Sequence, residues 1–128
     1  MKVQHAAERC IPGSLTVIFP VADAALVELR GDHDLALTSK PGGLRETLPI
    51  LIDAHPLVAI DLSDASFIDS SVISTLMVGH SHARERGSSL RIQLGGAPVV
   101  RRALELSGVF HQLDVVETRN EALRPPAA

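Results

Sequence analysis

An aspartate followed by two serines, Asp69-Ser70-Ser71, stands between the apolar pair Phe67-Ile68 and a helical run that begins at Val72. A carboxylate at that point can accept backbone N–H bonds as a helix N-cap, and the helix dipole favours negative charge at the same end. A phosphate on Ser70, or as second choice on Ser71, would meet those same N–H groups, so modification would leave the fold intact. It would also stand beside Asp69, and the repulsion would alter any contact made there. Local chemistry alone reads the three residues first as a helix cap. A serine nucleophile would need a Gly-x-Ser-x-Gly elbow, an oxyanion hole and a positioned His–Asp pair, and none surrounds Ser70. No catalytic residue is expected, and no enzyme activity.

The other candidate groups are weaker. Asp32-His33-Asp34 has the residue types of a metal site, but three adjacent positions rarely converge on one ion, and a strand-to-helix turn wants Asp for capping. Asp34 is thus expected to cap a helix from Leu35. His80 and His82 lie two apart on a helix and point to different sides. Gly42-Gly43 and Gly95-Gly96 lack the spacing of a phosphate loop. Arg84, Arg86, Arg91, Arg101 and Arg102, with Glu85 and Glu105 nearby, read as a solvated face. No metal and no cofactor is expected.

The elements that hold these residues follow from hydrophobic period. Strands are predicted at Leu15–Phe19, Ala25–Arg30 (closed by Gly31), Leu57–Leu62, Ser89–Leu94 and Leu113–Val116, the first two as an antiparallel pair. The run Leu57-Val-Ala-Ile-Asp-Leu62 is nearly continuous in apolar residues, as in a central strand covered on both faces. Helices are predicted from Leu35 to about Ala54, interrupted by Pro41-Gly42-Gly43 and with Leu44, Leu48, Leu51 and Ile52 on one face. Others follow from Val72 to a Gly87 C-cap, from Pro98 to Gly108, and as a last turn over Arg119–Leu123. Phe67-Ile68 is expected to re-enter apolar surroundings, and Val99, Val100, Ala103, Leu104 and Leu106 to form an apolar stripe. The order is that of an α/β fold: helices packed on a small mixed β-sheet.

Composition narrows the function. The 128 residues carry a net charge of −3 and only three Phe as aromatics. Base stacking and phosphate-backbone binding are disfavoured, so no nucleic-acid partner is expected. Cys10 is the single cysteine, which excludes an internal disulfide. No long apolar run or signal-peptide core is seen, so the expectation is a cytoplasmic protein without membrane insertion.

Four blocks of the chain resemble the STAS family of bacterial anti-sigma factor antagonists: Leu29-Arg-Gly-Asp-His-Asp-Leu35, Val58-Ala-Ile-Asp-Leu-Ser63, Phe67-Ile-Asp-Ser-Ser71, and Val99-Val-Arg-Arg-Ala-Leu-Glu-Leu-Ser-Gly108. The resemblance implies four to five strands with helices mainly on one side. It implies a domain over 14–119 between tails 1–13 and 120–128. It implies partner switching in transcription regulation: the unphosphorylated chain binds an anti-sigma factor serine kinase and frees the sigma factor, phosphorylation on Ser70 prevents this, and a serine phosphatase reverses it. Partner binding then falls to Asp34, His33, Asp69, Ser70, Ser71 and Val72, in a monomer or weak dimer. Val72 stands where the family usually has Gly, and Gly-Asp-His-Asp where Gly-Glu-Leu-Asp is commoner. The alternative within the same fold is a non-switching STAS subunit of a larger complex, such as a lipid-transport ATPase.

Overall fold

A computed structural model describes residues 12–126; Cys10 and all but the last two residues of the expected 1–13 tail lie outside the described residues. The strands are β1 (Ser14–Ile18), β2 (Ala24–His33), β3 (Leu57–Asp61), β4 (Ala65–Ile68), β5 (Ser89–Gln93) and β6 (Asp114–Val116). The helices are α1 (Leu35–Ser39), α2 (Leu44–Ala54), α3 (Ser70–Arg86), α4 (Pro98–Leu106) and α5 (Arg119–Leu123). The sheet runs β1-β2-β3-β5-β6, with β4 against the far end of β2. Among the described residues only β1 and β2 pair antiparallel; the other pairings are parallel. The five expected strands are present, and β4 is the sixth. Four residues are too few to show a period, so the sequence shows only that Phe67-Ile68 re-enters apolar surroundings and not that it is a strand.

Alternation sorts the two faces of the sheet. Ala25, Val27 and Leu29 of β2, Val58 and Ile60 of β3, and Leu90 and Ile92 of β5 enter the main core, with Leu44, Leu48, Leu51 and Ile52 of α2, Val72 and Leu76 of α3, and Val100 and Leu104 of α4. Leu26 and Ala59 point to the other face, where Ala122 of α5 covers them. All of β3 is buried, because helices lie on both of its faces. Four helices therefore share one side, and the short α5 crosses the other. Residues 120–123 belong to the packed body rather than to a tail, since Ala122 is fully buried.

Several expectations change. The helix expected from Leu35 to Ala54 is two helices, since Pro41 and the glycines end α1 at Ser39 and α2 restarts at Leu44. Strand β2 does not close at Gly31. Gly31 takes φ +75°, a conformation without penalty only for glycine, and the register slips between Gly31 and Asp32. The strand thereby pairs with β3 over its first half and with β4 over its last residues. Val99 and Leu106 are exposed, so the inward stripe of α4 narrows to Val100, Ala103 and Leu104. Phe67 is 45% exposed, on the opposite side of β4 from the buried Ile68.

Candidate functional site

The carboxyl ends of β2 and β4 lead directly into α1 and α3, so both helices start at one end of the sheet. That is where ligands commonly meet open α/β sheets. Asp34 caps α1, its Oδ1 accepting from the Leu37 N–H at 3.1 Å. Asp69 caps α3, its Oδ1 accepting from the Ser71 N–H at 2.9 Å, from the Val72 N–H at 3.4 Å and from the Ser71 hydroxyl. Its second oxygen, Oδ2, accepts from the Leu35 N–H at 2.9 Å. One carboxylate thus ties together the first turns of two helices. The Asp69 N–H donates to the His33 carbonyl at 3.2 Å, fixing the junction to the end of β2.

Desolvation works against the charge on Asp69, but the hydroxyl and amide donors of Ser71 and the amides of Val72 and Leu35 outweigh it. They hold the carboxyl below the usual carboxylate range. The group is therefore an anion at any physiological pH, beside the positive end of α3.

Ser70 is the first residue of α3 and is exposed. Its side chain has room for an added group. Ser71 is buried, with its hydroxyl committed to Asp69. Asp34, Asp69 and Ser70 are thus brought together at one tip of the molecule, and Leu35 (54% exposed) and Phe67 add apolar surface to it.

Three residues expected at this surface are buried instead: Ser71, held by Asp69, and also His33 and Val72. His33 is 4% exposed and lies under it, its Nε2 within 3.1 Å of the Ser14 carbonyl and 3.0 Å of the Arg30 carbonyl. The inward side of β2 leaves its ring nowhere else to go. Val72 has no exposed surface: it is on the core side of α3, so the extra volume relative to glycine fills the interior beneath the tip.

The arginines expected on one solvated face are dispersed over several pairings. Arg86 and His82 both pair with Asp53, Arg101 pairs with Glu117 and stacks over Phe110, and Arg91 pairs with Asp114. Arg91 also donates to the carbonyls that end α5, so it fastens that helix rather than facing solvent. Among the described residues no three His, Cys, Asp or Glu side chains converge as metal ligands. No helix among them is long and apolar enough to cross a membrane.

Sequence reasoning missed the bond from Leu35 to Asp69, which joins positions 34 residues apart, and the exposure of Leu35 and Phe67. Burial of an aromatic next to Ile68 is the default expectation, and only the pairing of β4 with β2 reveals which side Phe67 takes. It also missed the ion pairs of Arg119 with Glu28 and Asp61 behind the sheet.

The sequence profile of the STAS domain matches residues 24–122. No curated protein matches closely enough to count as a relative. Among solved structures, the anti-sigma factor antagonist SpoIIAA in its unphosphorylated form gives a TM-score of 0.71 at 17% identity, over 86% of this chain and 93% of that one. An anti-sigma factor antagonist from Mycobacterium paratuberculosis gives 0.70 at 23% identity, over 89% and 95%. The Bacillus cell fate determinant SpoIIAA in its phosphorylated form gives 0.64 at 18% identity, over 86% and 96%. At these identities the likeness establishes the fold.

Proposed function

Because the chain belongs to the STAS domain family, we propose that it is an anti-sigma factor antagonist that works by partner switching. In this reading the unphosphorylated chain binds an anti-sigma factor serine kinase and frees a sigma factor. Phosphorylation of Ser70 ends the binding, and a serine phosphatase restores it. The observation that carries the reading is the single exposed serine on the first turn of α3, beside an Asp69 that is already fully bonded. Ser71 has neither the exposure nor a free hydroxyl.

A phosphate on Ser70 adds about −1.5 to −2 charge at the tip that already holds Asp34 and Asp69. The N–H groups of Ser71, Val72 and Ile73 already bond Asp69, so the phosphate can stay in solvent at the positive end of α3 and the cap is kept. A partner that had covered Leu35 and Phe67 would then have to desolvate a dianion between two carboxylates. A penalty of about 3 kcal/mol weakens such binding roughly a hundredfold. That two of the similar structures are an antagonist in unphosphorylated and phosphorylated forms supports carrying the chemistry across. The reading gives the chain a binding role in the cytoplasm, where sigma factors act.

The test is capture of partners by wild type, Ser70→Ala and Ser70→Asp, with intact-mass measurement of the captured chain. A serine kinase is expected to co-purify with wild type and Ser70→Ala, and to be lost from Ser70→Asp by roughly a hundredfold. A phosphate mass shift should be absent only from the two Ser70 variants. Equal retention of the kinase by wild type and Ser70→Asp removes the switch. Capture of an ATPase with membrane subunits, unchanged across the three, replaces it with the non-switching subunit reading.

A further inference from the structure

Helices α2 and α3 run side by side in the same direction, so that Arg45 stands level with Ser74, Pro49 with Val78, and Asp53 with His82, to which it bonds at 2.7 Å. Between them lies a cavity of about 240 Å³. Leu48, Thr75 and Gly79 form its floor, while Pro49 and Val78 form its walls. Gly79 is needed for this depth: a Cβ there would stand 2.6 Å from Leu48 Cδ2 and 3.2 Å from Leu90 Cδ2. Leu48, Pro49 and Val78 make its middle aliphatic; Ser74 and Thr75 add hydroxyls along α3, and the one ring in the lining, His82, stands at an end.

The two ends of the cavity differ. At one end His82 is held by Asp53, which also pairs with Arg86, so the charge there is used internally. At the other end is Arg45, whose guanidinium makes no ion pair or hydrogen bond with any described residue. The nearest acid in sequence, Glu46, is turned away to accept from the Gly42 N–H at 2.9 Å. Arg45 is moreover the second residue of α2, where the helix dipole already presents positive charge. A cation there is mildly disfavoured, and a bound anion would relieve it.

The geometry points to a binding site for a small aliphatic carboxylate, with its chain between α2 and α3 and its head on Arg45. At about 30 Å³ for each water-sized unit, the cavity takes roughly eight non-hydrogen atoms, the size of hexanoate. A ligand of that size is held with a Kd on the order of 1 mM. Neither Ser70 nor Asp69 lines this cavity, so the inference stands apart from the proposed switch.

The test is titration of the full chain, isotopically labelled, with hexanoate, hexan-1-ol and acetate, followed by amide chemical shifts. Hexanoate is expected to shift Ser74, Val78, Gly79 and His82 saturably. Hexan-1-ol and acetate should each bind at least about tenfold more weakly, because each lacks half of the recognition. Arg45→Glu should lose the hexanoate response and at the same time raise the melting temperature of the free protein, since an acid suits the start of α2. That second readout shows that the variant is folded. No saturable shift with hexanoate, equal binding of hexan-1-ol, or undiminished binding by Arg45→Glu would each overturn the assignment.

Discussion

Replacing Asp69 by Asn keeps the size of the side chain but turns one acceptor oxygen into an amide that faces donors already aimed at it. The loss of one cap typically costs about 1 kcal/mol, and here the same group caps α3 and holds Leu35, so about 2 kcal/mol is expected from urea denaturation. A loss below a few tenths would mean that the two sets of bonds are not both made. The pH dependence carries a definite sign. With the native pKa of Asp69 below its ordinary value, its contribution is present above about pH 4 and disappears as pH falls through the native value. Wild type should therefore lose stability more steeply than Asp69→Asn between about pH 4 and pH 2; parallel profiles would exclude the carboxylate as the cause. The capping role of Asp69 and Asp34 was legible from residue type and position, since capping is a local bond. The link from Asp69 to Leu35 was not, because no local pattern encodes a bond across 34 positions. His33 and Val72 were expected at the surface because they stand in or beside the blocks that resemble the family, and a matching block does not say which of its side chains turn inward.

Helix α2 contains Pro49 in its interior, where a missing N–H leaves the Arg45 carbonyl without its helical donor. Because Pro49 is exposed, Pro49→Ala adds that bond with little change in packing. A gain of about 1–3 kcal/mol is expected, read as a rise in melting temperature. Helix α5 depends on charge instead. Arg119 bonds Glu28 at 3.0 Å and the buried Asp61 at 3.2 Å. Arg119→Met leaves Asp61 without its cation, and a loss of about 2–4 kcal/mol is expected in thermal or urea unfolding. Periodicity made α2 and α3 legible, because each buries several residues at fixed spacing, and an almost unbroken apolar run did the same for β3. It could not show β4 or the place of α5. Each is too short to carry a period, and each is held by partners distant in the chain. The apolar face of α4 was overcounted, since Val99 and Leu106 fit the spacing but lie beyond the width that the sheet covers.

Across the molecule, protection should follow depth in the sheet. The amides of β3 lie between β2 and β5 under helices on both faces, and they are expected to exchange with solvent most slowly. Those of β6, a three-residue edge strand, should exchange among the fastest of the sheet. The reverse order in hydrogen exchange would contradict the layered packing. The parallel pairings of β2 with β3 and of β3 with β5 each join residues more than 30 positions apart, so the chain should fold in milliseconds to seconds rather than microseconds. The clasp of Asp69 on α1 and α3 has a thermodynamic corollary. Two helices that share one anion are linked, and linkage is reciprocal. A partner that grips Leu35 and tightens its bond to Asp69 must lower the proton affinity of that carboxylate by the same factor by which protonation would loosen the partner's hold.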